Sequence, residues 1–285
     1  LSTDNGAGLR SLLATGDLVV APGVFDGLSA QLVKRTGFSA AYMTGAGVAA
    51  SAYGLPDIGL VTASEMAERA AVLVDVLGDV PLIADADTGY GAPLNVVRTV
   101  RSYERAGVAA IQLEDQLFPK RCGHLPDKEV VSEADFLATL GAALDARDGA
   151  LIVARTDARA VLGLSAAIDR ANAYADAGAD IVFVEAPNSV EEIERISEEI
   201  SAPLLINIVQ SGLTPDEGVD RLDSLGYAIA IHPSNPLGAA ANAMIAELMS
   251  LGGTDPRTAS TGVAAFFDLV GLAEWSLIDE TLGRV

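Results

Sequence analysis

Eight short apolar runs, each closed by a polar residue or a Gly/Pro turn, alternate along this chain with longer stretches of helical spacing. The runs are Leu18–Ala21, Ala40–Thr44, Leu82–Asp85, Ala110–Glu114, Leu151–Arg155, Ile181–Glu185, Leu204–Asn207 and Ala228–Ile231. Their near-continuous hydrophobicity is that of strands covered on both faces, as in a parallel sheet. Between them, the spacing predicts helices over Ser29–Thr36, Ala63–Leu77, Pro93–Ala106, Glu133–Ala146, Ser165–Ala177, Ser189–Glu199 and Pro215–Leu225. Several end at a glycine in a helix-stop position, such as Gly37, Gly107, Gly178 and Gly226.

Strands alternating with helices leave two architectures: a closed (β/α)8 barrel and a doubly wound open sheet. Eight alternations favour the barrel, and 285 residues suit its usual size of about 250. The length would also hold two domains of about 150 residues. No Pro- or Ser-rich linker divides the chain, so residues 1–285 read as one domain. Residues 252–285 read as a tail of loop and helices, with one strongly apolar segment around Val263–Leu272.

Composition narrows the function. Half the residues are hydrophobic and a fifth are charged, which supplies a sizeable core and excludes a disordered chain. No uncharged apolar window reaches about 18 residues, so no membrane span is expected. Leu1–Leu9 lack the basic and apolar regions of a secretory leader. The lone cysteine, Cys122, forms no intrachain disulfide, and the expected location is the cytoplasm. A net charge of −21 argues against nucleic acid, whose binding needs a cationic face. The only lysines are Lys34, Lys120 and Lys128, and two of them flank Cys122.

Polar residues collect at the ends of the apolar runs. Tyr42-Met43-Thr44-Gly45-Ala46-Gly47, Asp85-Ala86-Asp87, Glu114-Asp115-Gln116, Arg155-Thr156-Asp157, Glu185 and Asn207 all follow or close a strand. In a barrel these ends share the rim where active sites lie. Asp85 and Asp87 fall on one face of an ideal strand, and Glu114 comes from the next. Three carboxylates without a nearby His or Cys pair suit a hard, partly hydrated cation, Mg2+ or Mn2+. The alternative is that Asp87 caps a helix and Glu114 pairs with Arg155. Thr44-Gly45-Ala46-Gly47 offers backbone amides to an anion. Gly89-Tyr90-Gly91 reads as a sharp bend or a ligand-approaching loop. Neither a phosphate-binding loop nor a dinucleotide fingerprint is present. His232, after the last strand, stays outside the catalytic set.

The second centre is Lys120-Arg121-Cys122-Gly123-His124-Leu125-Pro126, inside the long connection Asp115–Ser132. Loops of this length in compact domains are usually functional. Adjacent cations lower a thiol's pKa, and His124 is placed to share its proton. Two ligands fall short of a closed zinc site.

These stretches, together with Leu55-Pro56-Asp57-Ile58-Gly59 and Ala154-Arg155-Thr156-Asp157-Ala158, resemble the isocitrate lyase / phosphoenolpyruvate mutase superfamily from about Leu9 to Ala246. The likeness is greatest to its short members, the lyases of 2-methylisocitrate and 2,3-dimethylmalate and the carboxyphosphonoenolpyruvate mutase. The cysteine of the Lys-Arg-Cys-Gly-His loop favours the lyase side. The resemblance implies a barrel whose last helix is swapped between subunits of a dimer within a homotetramer. It implies Mg2+ held through Asp57, Asp85, Asp87 and Glu114, and a 2-hydroxy di- or tricarboxylate substrate. Tyr42 is then the expected base, Cys122 the acid that protonates the carbanion, and Arg155 with Thr44, Gly45 and Ala46 the holder of the oxo-acid portion. Asn207, Gln210, Gly123 and His124 face the far carboxylate, and Lys120 and Arg121 join the substrate-binding set. The chain departs from the lyase pattern at Gln210, where relatives carry a glutamate, and at His232-Pro233-Ser234-Asn235, where they read Tyr-Pro-Leu. The competing expectations are a phosphonomutase, an oxaloacetate decarboxylase, and a barrel that only binds a dicarboxylate.

Overall fold

In the computed structural model, which describes residues 4–257 and 262–282, eight parallel strands close into a barrel in sequence order. They are β1 (Val19–Val24), β2 (Ala41–Met43), β3 (Leu82–Asp85), β4 (Ala110–Glu114), β5 (Leu151–Thr156), β6 (Ile181–Val184), β7 (Leu204–Asn207) and β8 (Ile229–His232). β1 pairs with β8 to complete the circle, and the open-sheet alternative falls. The first three residues of the stretch read for a leader, and 258–261 and 283–285 of the tail, lie outside the described residues. Among the described residues, no helix is long and apolar enough to cross a membrane.

The strands have two apolar faces because each is covered twice. Val19, Ala21, Tyr42, Ile83, Ala110, Val153, Phe183, Leu205 and Ile229 fill the lumen. The alternate residues, among them Met43, Ala84, Ile111, Leu113, Ile152, Ala154, Val182, Leu204 and Ile206, pack against the outer helices. A period of two then decides what reaches the rim. Continuing the inward set toward the C-terminal ends gives Thr44, Asp85, Glu114 (past the inward Gln112), Arg155, Glu185 and Asn207. Register staggers them around the barrel: Asp85 pairs with Gln112, one inward step below Glu114, and Glu114 pairs with Arg155, one step below Glu185.

The outer helices start where their caps demand. Asp26 and Ser29 form a reciprocal capping box for Gly27–Arg35, and Thr62 and Glu65 form one for Ala63–Leu77. Pro93 opens Pro93–Arg105, where its missing N–H costs nothing. The expected helices all appear, though Pro215–Leu225 shrinks to Val219–Ser224 behind Gly218. Unforeseen helices occur at Ala7–Leu13, Gly45–Val48, Ala158–Leu162 and Asn235–Ser250, and the chain makes one π turn at Ala49–Tyr53. The segment around Val263–Leu272 is two helices, Gly262–Asp268 and Leu272–Leu282, separated at Gly271 with φ +82°. The first lines this chain's own barrel mouth, and the second packs against the loops at Ile58, Leu60 and Pro119–Arg121.

Candidate active site

A cavity of about 320 Å³ opens at the C-terminal mouth of the barrel. Its floor comes from strand ends: Tyr42, Thr44, Asp85, Arg155, Glu185 and Asn207. Its walls are the loop residues Asp57, Cys122, Gly123, His124, Gln210 and Ser211, roofed by Leu237, Ile245 and Phe266 from the C-terminal helices.

Two strand-end acids are held very differently. Asp85 accepts from the Gly45 N–H at 3.2 Å and the Asp87 N–H at 3.0 Å. A Cβ on Gly45 would lie 2.6 Å from the Asp85 carboxylate, so any larger residue there would displace that carboxylate. That contact changes the expected role of Thr44-Gly45-Ala46. The Gly45 amide serves Asp85, and the Gly47 amide caps onto the Thr44 hydroxyl at 3.0 Å. Asp87 lies past the end of β3 with φ +47°, a left-handed conformation that an aspartate adopts at a cost. It therefore converges on the site by a turn rather than by strand alternation. Its carboxyl is raised to about 7, by burial above all, against the lowering effect of Lys120.

Glu114 is only 2% exposed, and burial likewise pushes its carboxyl well up. The guanidinium of Arg155 stands 3.1 Å from it, so the pairing weighed from sequence exists. No hydrogen bond is aligned onto either Glu114 oxygen, nor onto Asp87 Oδ1. Lys120, expected to bind substrate, instead stands among these acids. Its ammonium is paired with Asp57 and, at 2.7 Å, with Asp87. Among the described residues, no three His, Cys, Asp or Glu side chains form a ready-made metal cage. Asp57, Asp85, Asp87 and Glu114 nonetheless fit a hard cation. They are all-oxygen donors, three of their buried oxygens lack an aligned hydrogen bond, and a positive charge already occupies their midst.

Arg155 is locked from below. Asp157 accepts from its Nε at 2.9 Å and its Nη2 at 3.1 Å, and Glu185 lies 3.3 Å from Nη1. The guanidinium also lies over the Phe183 ring, 5.4 Å from its centroid. Glu185 was visible as a strand end but was not assigned a role; it is 1% exposed and joins Arg155, His124 and Asn207. His124 accepts from the Leu213 N–H through Nδ1 at 3.0 Å, which leaves Nε2–H to face Glu185 at 3.3 Å. Burial lowers its pKa, so the ring is neutral. Gln210 lines the cavity on the loop after β7. Arg121 turns the other way, toward Asp279 of the tail at 3.5 Å. His232 and the Gly89-Tyr90-Gly91 bend do not line the cavity; all three residues of that bend have positive φ.

The loop presents Cys122 to the cavity, with its amide donating to the Asp57 carbonyl at 3.1 Å. The sequence predicts a thiol acidified by its cationic neighbours, and the structure reverses this. Burial pushes the thiol up to about 12, Asp57 adds to the rise, and Lys120 is spent on Asp57 and Asp87. At neutral pH such a group stays an S–H. Tyr42 is also protonated: burial and then Asp85 raise its pKa, and its O–H donates to Gln112 at 3.1 Å. In this resting state the phenol is a hydrogen-bond donor.

A closed parallel barrel carrying acids, an arginine and a protonated thiol at its C-terminal mouth is the architecture of an enzyme. The sequence profile of the phosphoenolpyruvate phosphomutase family matches residues 9–251, and the chain belongs to that family, within the phosphoenolpyruvate mutase/isocitrate lyase superfamily. The chain is 46% identical to 2,3-dimethylmalate lyase of Eubacterium barkeri over 93% of its length and 94% of the relative's. It is 44% identical to 2-methylisocitrate lyase of Aeropyrum pernix, covering 97% of this chain and 90% of that one. A solved oxaloacetate acetylhydrolase with the inhibitor 3,3-difluorooxalacetate superposes with a TM-score of 0.85 at 37% identity, over 98% and 97% of the two chains. By this kinship the chain is a carbon–carbon lyase.

Proposed function

We propose that this lyase cleaves a 2-hydroxy di- or tricarboxylate, of the 2-methylisocitrate or 2,3-dimethylmalate kind, into a 2-oxo acid and a second carboxylate. The observation that carries the proposal is a protonated thiol, Cys122, facing the same cavity as Asp57, Asp85 and Arg155. Asp57, Asp85, Asp87 and Glu114 would hold a divalent cation, which when bound would supply Lewis-acid polarisation of the substrate. Arg155, fixed by Asp157, binds the oxo-acid end. Asn207 and His124 bind the far carboxylate, with the neutral Gln210 beyond them. Loss of the hydroxyl proton lets the C2–C3 pair leave toward C3 as C2 becomes a carbonyl. Tyr42 is the residue that would accept that proton, as a phenolate whose own proton has first passed to solvent. Cys122 then gives its S–H proton to C3, and the closed loop keeps water from reaching the carbanion first. Assembly through exchanged tail helices into a tetramer, and a cytoplasmic setting, belong to the same reading. The exposed Leu277 and Leu282 of the last helix supply apolar surface for the exchange.

The test is a panel of 2-hydroxy acids with Mg2+, read by release of pyruvate or another 2-oxo acid. Release that falls by about 100-fold in Cys122→Ser supports the assignment. No oxo acid from any member overturns it. Oxaloacetate belongs in the panel because of the acetylhydrolase neighbour; oxalate as product would redirect the reading to hydrolysis.

A further inference from the structure

Of the three lysines, Lys120 joins the acids and Lys34 reaches a helix end at the Val76 carbonyl. Lys128 is the one the mechanism leaves unused. Its side chain is 2% exposed, a costly place for an ammonium unless every proton is engaged. It donates to the carbonyl of Gly123, the residue after Cys122, and to Asp157 Oδ1 at 2.9 Å. The same carboxylate holds Arg155. One ammonium thus ties the backbone beside the thiol to the strand that carries the substrate-binding arginine.

The position is exacting. A Cβ on Gly123 would lie 2.6 Å from both Arg155 Nη2 and Glu185, so the loop backbone rests directly on the charged floor. Side chains on either side also anchor the stretch, Lys120 on Asp57 and Asp87 and His124 on the Leu213 amide and Glu185, but Lys128 is the one that grips the Gly123 backbone itself. The Cys122 amide reaches Asp57, and Leu125 bonds back to the Cys122 carbonyl within the loop. Gln116 braces the near side by accepting from the Arg121 amide and donating to the Arg121 carbonyl.

We propose that Lys128 is a positioning residue: it latches the Cys122 loop in its closed state onto Asp157 and so sets the distance between thiol and bound substrate. The role presupposes the function given above, but the latch is testable without turnover. Cys122 is the only cysteine, so alkylation by iodoacetamide reports on this loop alone. In Lys128→Met, loop opening should expose Cys122 and speed its alkylation by about tenfold or more. Trypsin should then cut after Lys120 or Arg121, bonds that the closed loop protects. For the substrate found in the panel, kcat should fall by about tenfold or more while KM stays within about threefold, because the latch acts after binding. Lys128→Arg, which keeps a cation with several donors, should restore slow alkylation and part of kcat. Lys128→Met with native melting behaviour and wild-type rates of alkylation and tryptic cutting would overturn the latch. So would fast alkylation in both variants alike, since that would mark a packing defect rather than a lost ion pair. If alkylation responds as expected but the wild-type chain releases no oxo acid, the latch stands and the proposed reaction falls.

Discussion

Glu114 and Asp115 are neighbours in sequence at the end of β4, both buried, yet they live in opposite electrostatic worlds. Asp115 points outward and is saturated. It accepts from Thr156 Oγ1 at 2.7 Å, the Asp157 N–H at 2.8 Å, Arg170 Nη1 at 2.9 Å and Tyr174 OH at 2.9 Å. Glu114 points into the mouth, with Arg155 at 3.1 Å and no aligned hydrogen bond on either oxygen. Burial raises both carboxyls, but only Glu114 lacks the hydrogen bonds that offset it. One acid is satisfied by four donors, while its neighbour has only the Arg155 ion pair, and on the function proposed above that neighbour is one the cation would use. Asp115 holds β4, β5 and the helix Leu164–Asp176 together; Glu114 makes only the pair with Arg155.

The largest effect expected from this contrast is on stability. Asp115→Ala strands the Arg170 guanidinium and should cost about 3–5 kcal/mol of unfolding free energy in urea titrations. A loss below about 1 kcal/mol would erase the distinction between the two acids. Glu114→Gln should do the reverse. Removing a raised, poorly satisfied carboxylate should leave the unfolding midpoint unchanged or higher, while oxo-acid release drops by about tenfold or more. If that variant unfolds like Asp115→Ala, Glu114 is structural after all.

The smallest effect is a pH slope. The Asp87 carboxyl rises from an unfolded value of about 4 to about 7 in the fold. The folded state therefore binds this proton more tightly than the unfolded one. The stability it contributes is complete below pH 4 and is lost as pH rises through about 7. Glu114, also raised, acts in the same sense, whereas the lowered carboxyl of Asp157 acts only on the acid side. Thermal melts in EDTA should decline from pH 4 to 8, and Asp87→Asn should flatten that decline. Mg2+ should flatten it too, because a cation offsets the charge that deprotonation leaves. An identical slope in the variant would detach Asp87 from the effect.

The architecture was legible because its causes are local. Apolar runs doubly covered, glycine stops and strand-end polarity together specify a parallel barrel and name its rim. The short helix after β2 was not legible: Gly45–Val48 is small and apolar, and reads as loop until Thr44 is seen to cap it. The tail was read as a loop followed by helices, and the apolar one expected around Val263–Leu272 stops at Asp268, with a second helix starting at Leu272 beyond Gly271. In the site, Tyr42, Asp85, Glu114, Arg155 and Asn207 were placed by strand period alone. Asp87 was assigned to the right neighbourhood through the wrong geometry, since its left-handed φ is a property of the turn it closes.

What this chain's sequence settled unaided was which residues reach the mouth, because side-chain alternation along a covered strand is a one-dimensional rule. Their charge states waited on three dimensions. Lys120 sits beside Cys122 on paper and reads as a cation that would ionise it. Folding sends that ammonium to Asp57 and Asp87 and leaves the sulfur in a desolvated wall, where the proton stays. Proximity in sequence says which charges are available; only the packed structure says which partner each one spends itself on.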